Sequence, residues 1–209
     1  MTDKSRTLPK SLASIVEMLE LEQPRIVTLK MIGGLALTLG QGEKDLADLR
    51  RIAYRLESLG WLGSLRTRGA WEFLPGARAG AYGAYDRLIE FKAQKEVNPQ
   101  WSGVLSMESA AAVLGLAQRL PKHESVALPR GHVLPKAMSE WRRVSIVLPK
   151  SGLTIIDSMP VWSLEGLLAG VALRPSAYYD LIGLAQWLPE TGSSINVGPL
   201  IDCLKDAPS

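Results

Sequence analysis

The sequence predicts an α+β chain, an N-terminal winged helix-turn-helix followed by a small mixed α+β C-terminal domain. Three observations predict it. Lys44–Leu59 sets a helical apolar stripe beside a basic face. A glycine-stopped helix end then leads into two short strand-like runs. Beyond residue 120 the apolar spacing changes from a period of 3.6 to a period of 2.

Ser11–Glu22 reads as the first helix, with Leu12, Ile15, Val16 and Leu19 on one face and Pro24 ending it. Arg25-Ile26-Val27 is a short extended piece. Thr28 is placed to cap a second helix, Leu29–Leu39, and Gly40-Gln41-Gly42 is a turn. In the third helix, Lys44–Leu59, the residues Leu46, Leu49, Ala53 and Leu56 form the apolar stripe. Lys44, Arg51, Arg55 and Ser58 fall on another face, with Arg50 and Tyr54 beside it. Gly60 stops this helix, because glycine takes the left-handed conformation cheaply. Trp61–Arg66 and Ala70–Leu74 follow as strands, joined by Thr67-Arg68-Gly69 as a hairpin turn with Arg66 and Arg68 at or near its tip. Trp61, Trp71 and Phe73 are read as core aromatics of this hairpin.

Pro75-Gly76 marks a break, which divides the chain into 1–76 and 77–209. Tyr82–Ala93 reads as an amphipathic helix, ended by Asn98-Pro99. Ser106 is placed to cap a helix over Met107–Leu120, whose small residues Ser109-Ala110-Ala111-Ala112 allow close packing. Strands are expected at Ser125–Leu128, Val144–Leu148 and Leu153–Asp157. Ser163 caps Leu164–Leu173, Pro175 opens a helix over Ala177–Leu188, and Pro199–Leu204 is a last short apolar piece. The recurring Leu-Pro pairs have irregular spacing. They read as element ends, since proline lacks the N–H that continues a helix or strand.

Composition narrows the function. The net charge is only +3 over 209 residues, yet Lys44–Ala70 alone carries six Lys/Arg against three acids. The basic character is local. Cys203 is the single cysteine, which excludes an internal disulfide and a cysteine-rich zinc site and fits a reducing, cytoplasmic setting. The first residues lack the apolar run of a signal peptide, and no apolar stretch approaches the ~18 residues of a membrane span. His123 and His132 flank Pro- or Gly-containing loops with no metal-ligand spacing around them. The sequence holds no G-x-S-x-G, Walker loop or G-x-G-x-x-G, and its acids are scattered. A catalytic site, a metal and a cofactor are therefore not expected, and the chain is read as a non-enzyme.

A helix with a basic face followed by a basic hairpin suits duplex DNA, the helix entering the major groove while the hairpin grips phosphates. The candidate contacts are Lys44, Arg50, Arg51, Arg55, Arg66, Thr67 and Arg68. The open alternatives are a stand-alone transcription factor whose second domain binds an effector or dimerises, and an enzyme that modifies a toxin.

Leu59-Gly60-Trp61-Leu62, Gly69-Ala70-Trp71-Glu72-Phe73-Leu74-Pro75 and Ser109-Ala110-Ala111-Ala112-Val113-Leu114-Gly115-Leu116 together resemble the AbiEi family of antitoxins, in its actinobacterial branch. The likeness spans roughly residues 10–190. It implies a winged helix that binds inverted repeats upstream of its own operon and represses it, and a second domain that counteracts a nucleotidyltransferase-like toxin. Glu43-Lys44-Asp45 depart from the small hydroxylated residues that family members often carry at the start of the recognition helix, so the resemblance does not extend to the operator sequence. No residue of the second domain takes an antitoxic role from it.

Overall fold

The structure, a computed structural model, describes residues 8–76 and 85–205. It is a mixed α+β chain that divides into two units, Met1–Gln100 and Trp101–Ser209.

In the first unit, α1 (Lys10–Glu22), β1 (Ile26–Thr28), α2 (Leu29–Thr38), α3 (Leu46–Ser58), β2 (Leu62–Ser64), β3 (Ala70–Phe73) and α4 (Ile89–Val97) follow in order. The first helix ends where Gln23 turns left-handed (φ 50°) and its N–H reaches the Leu19 carbonyl, one residue before the proline expected to stop it. Thr28 caps α2 as its position predicts, its hydroxyl accepting the Met31 N–H at 3.2 Å. Gly60 adopts φ +78° and turns the chain from α3 into β2.

The three strands form an antiparallel sheet in the order β1-β3-β2. Its two faces are both covered. Val27, Trp71 and Phe73 alternate onto one face and join Ile15, Leu19, Ile32, Leu35, Ala53 and Leu56 in the helical core. Ile26 and Ala70 point the other way and meet Ala93 of α4, with Ile89 and Leu65 at the margin. Arg25 binds Glu72 at 3.5 Å and Asp86 at 3.8 Å, and Lys92 holds Asp86 at 3.0 Å. These contacts tie α4 to the back of the sheet, so the first unit extends to Gln100 rather than ending at the Pro75-Gly76 break. The helix expected over Tyr82–Ala93 starts only at Ile89, and residues 82–84 lie outside the described residues.

The second unit carries a five-stranded sheet, β6-β5-β4-β8-β7. Its strands are β4 (Val104–Leu105), β5 (Ser125–Ala127), β6 (Arg142–Val144), β7 (Leu153–Ile156) and β8 (Met159–Trp162). The β5–β6 and β4–β8 pairs are parallel, the others antiparallel. Its helices are α5 (Met107–Val113), α6 (Leu164–Leu173), α7 (Leu181–Thr191) and α8 (Val197–Lys205).

Several boundaries differ from expectation. The third expected helix of this unit begins at Leu181, where the Asp180 carboxylate accepts the Gly183 N–H at 3.0 Å, and runs through Pro189 instead of stopping before it. Helix α5 ends at Val113, not Leu120, with Gly115 at φ +74°, and Ser106 stands at its N-cap position without the expected side-chain hydrogen bond. The strand expected at Val144–Leu148 lies at Arg142–Val144.

Glycines set the tightest contact in this unit. A Cβ on Gly166 of α6 would come within 2.0 Å of the Gly152 carbonyl, and one on Gly170 within 2.3 Å of the Trp162 ring. The expected small-residue face of α5 is buried as well, from Met107 through Ala111.

Candidate nucleic-acid interface

Helix α3 presents three kinds of surface. Ala53 and Leu56 are buried, and Leu49 and Ile52 pack partly against the same core. At 100° per residue, Arg50, Tyr54 and Glu57 line one flank. Arg51, Arg55 and Ser58 line the flank beside it. Arg50, Arg51, Tyr54, Arg55 and Ser58 are all exposed.

Lys44 does not begin the third helix, as its expected range of Lys44–Leu59 had it. Asp45 caps the helix, its carboxylate accepting the Asp48 N–H at 2.7 Å, so the helical turns begin at Leu46 and Lys44 precedes them. A carboxylate at the cap satisfies an end N–H and opposes the positive end of the helix dipole. Lys44 turns back instead, with Nζ 3.4 Å from the Gln41 carbonyl.

Opposite α3 stands the connection between β2 and β3. It is a five-residue loop, 65–69, closed by Gly69 at φ +81°. Arg66 and Arg68 are exposed on it, as the sequence implies. Thr67 is not. It is 5% exposed and locked to Glu90 of α4: its N–H and its hydroxyl donate to Glu90 Oε2 at 2.9 and 2.7 Å, and the Arg66 N–H donates to Oε1 at 2.7 Å. Thr67 thus anchors the loop from behind and offers no side-chain contact at a tip. Glu90 lies more than twenty residues along the chain, so no local spacing reveals it.

Arg50 and Arg68 both line a groove of about 890 Å³, which Lys30 at the start of α2 also lines. Lys30 was missed because it belongs to neither α3 nor the hairpin; its place in the first turn after the Thr28 cap was the available signal. Two acids line the same groove, Glu57 and Glu96. Glu57 is engaged, its Oε2 accepting the Trp71 indole N–H at 2.8 Å, while Tyr54 meets the Trp71 ring edge-on with centroids 6.0 Å apart. Trp71 is therefore a core residue that also positions the groove wall. Arg51 pairs with Asp48 at 3.1 Å, but its side chain is 80% exposed, and such a pair is weak enough to open. Among the described residues no ion pair holds Arg50, Arg55 or Arg68.

Chemically, this surface can hold an extended polyanion. Arg50 and Arg68 supply planar forks suited to phosphates or guanine edges, while Arg51 and Arg55 continue the positive face around the helix. Among the described residues no His, Cys, Asp and Glu cluster could hold a metal, and no helix is long and apolar enough to cross a membrane.

No family profile and no curated protein matches the sequence. The chain is similar in structure to the crystal structure of the RV2827C protein from Mycobacterium tuberculosis, with a TM-score of 0.77 at 22% identity, covering 99% of this chain and 75% of that one. At that identity the likeness is one of fold.

Proposed function

We propose that the first unit is a winged helix that binds duplex DNA, with α3 as the recognition helix in the major groove and the 65–69 loop as the wing on the adjacent backbone. The observation that carries this reading is the shared groove: Arg50 from α3 and Arg68 from the loop line one concave surface, and neither is held by an ion pair among the described residues. The helix and the loop that follows it after β2 each put an arginine on this surface, where a duplex contacts both. Arg51 and Arg55 extend the contact, Arg66 adds charge at the wing, and Thr67 contributes by fixing it. Lysine and arginine contacts to phosphates supply most of the affinity and make it fall with salt.

The resemblance to AbiEi antitoxins gives this DNA-binding reading its biological form. The chain represses its own operon through an upstream operator, and it counteracts a nucleotidyltransferase-like toxin encoded beside it. It performs no catalysis in this reading and requires no cofactor. The test is a binding titration on the chain's own upstream DNA against a scrambled duplex of equal length. Tighter binding to the upstream duplex supports repression, equal weak binding on both removes it, and an adjacent gene for a nucleotidyltransferase-like protein separates the antitoxin from a stand-alone transcription factor.

A further inference from the structure

The second unit buries charge where a small α+β domain has little reason to. Glu108 and Glu124 are only 6% and 8% exposed. Glu108 is bound by the Arg142 guanidinium and by the Tyr179 N–H. Ser109 donates its hydroxyl to Glu124 at 2.5 Å and accepts the Ser125 N–H at 2.7 Å, and Arg142 also donates to the Ser125 hydroxyl at 2.8 Å. Arg142 is thereby held rigidly, yet its Nε and Nη1 are buried with no hydrogen-bond partner. Its donor capacity exceeds what the fold uses.

Glu108 and Arg142 of this network line a pocket of about 340 Å³, together with the 117–123 loop, Tyr179 and Asp180. Three observations define what the pocket accepts. First, Arg119, Lys122 and Arg142 line it against Glu108 and Asp180. Glu108 is paired with Arg142 as above, and Asp180 accepts the Gly183 N–H at 3.0 Å but keeps its charge, so Arg119 and Lys122 against Asp180 leave the rim with one net positive charge, with His123 beside them. Second, the Arg142 guanidinium lies 3.9 Å from the centroid of the Tyr179 ring, covering one face. Tyr179 is nevertheless 72% exposed, which leaves its other face to solvent. Third, the volume is that of a small-ligand site, far below what an extended strand occupies.

We propose that this pocket binds a small anion bearing a planar ring, of the nucleoside monophosphate class. The ring stacks on the open face of Tyr179, which is rigidly backed by Arg142. The phosphate lies on Arg119 and Lys122. Fixing Tyr179 from behind removes the ordering cost that an exposed aromatic otherwise imposes on a stacked ligand.

The test is calorimetric titration of the full chain with the four nucleoside monophosphates, with inorganic phosphate and the free nucleosides as controls. At least one monophosphate binds saturably in the micromolar-to-millimolar range, more tightly than either control. Tyr179→Leu weakens it about tenfold, the scale of one stacked ring, and Arg119→Ala with Lys122→Ala abolishes it. These three positions are on the surface, so the variants fold. Arg50→Ala and Arg68→Ala leave the binding unchanged, which separates this pocket from the groove of the first unit. Absence of saturable binding, phosphate binding as tightly as the nucleotide, or indifference to the Tyr179 and loop variants would each overturn the proposal.

Discussion

Arg50, Arg55 and Arg68 carry their charge into solvent on the first unit, whereas Arg142 of the second is only 17% exposed and stacked between Glu108 and Tyr179. The same kind of residue is used in opposite ways. An exposed arginine without an ion pair contributes little to folding and keeps its guanidinium for a partner. A buried pair has lost its hydration, so the fold depends on both members being present. The difference teaches that the scaffold compensates the arginine it buries and leaves Arg50, Arg55 and Arg68 without an ion pair among the described residues.

The largest expected effect breaks the buried side of this comparison. Glu108→Ala leaves Arg142 buried without its carboxylate and takes an acceptor from the Tyr179 N–H. Denaturant unfolding of the second unit then shows a loss of about 3 kcal/mol, with duplex binding unaltered. A loss within the ordinary range of a surface change, about 0.5 kcal/mol, would mean the network is not structural.

A smaller effect follows at the junction of structure and surface. Glu90→Ala frees the Arg66 and Thr67 N–H groups and the Thr67 hydroxyl, and costs about 1–2 kcal/mol. Amide hydrogen exchange at residues 66 and 67 accelerates, and on the proposed reading duplex affinity falls although none of the proposed contact arginines has changed. Unaltered exchange at both amides would show that Glu90 does not hold the loop.

The smallest is a pH effect on α4. Burial alone raises the Asp86 pKa, but the Leu88 N–H, Lys92 and Arg25 outweigh it and bring the carboxyl below its ordinary value. A depressed carboxylate stabilises the fold above its unfolded pKa of about 3.9, and that contribution is lost as the pH falls through the lower folded value. Asp86→Asn therefore lowers the melting temperature of the first unit at neutral pH, and the difference from the parent shrinks in acid. A difference that is constant with pH would locate the effect in packing instead.

How much of this was legible in the sequence depended on the range of the interactions. Thr28, Ser163 and Gly60 act through neighbours within three or four residues: the first two cap the starts of their helices and Gly60 turns the chain after α3, as their positions predict. The helix starts at Leu46 rather than Lys44 because Asp45 caps it with a hydrogen bond that the helical period does not encode. Strand β6 lies at Arg142–Val144 rather than Val144–Leu148, with Arg142 bound to a glutamate thirty-four residues earlier, a contact no local apolar pattern encodes. Strand β4 is two residues long, too short for an alternating pattern. Strand β8 follows a tight turn through Asp157 and Ser158, both at positive φ, without the glycine that usually signals one. The arginines of the groove were visible as residue types in a pattern. The groove itself, with Lys30 and the Glu90 anchor, comes only from long-range packing.

The most direct test of the central claim compares the salt dependence of duplex binding for the parent chain, Arg55→Ala and Arg68→Ala. One variant lies on α3 and the other on the loop, and neither side chain contributes to the core. Each is expected to leave stability unchanged, to weaken binding on every duplex, and to reduce the slope of log affinity against log salt by about one. Full affinity and an unchanged slope in both variants would contradict the account, leaving the basic face of α3 as a solvated surface.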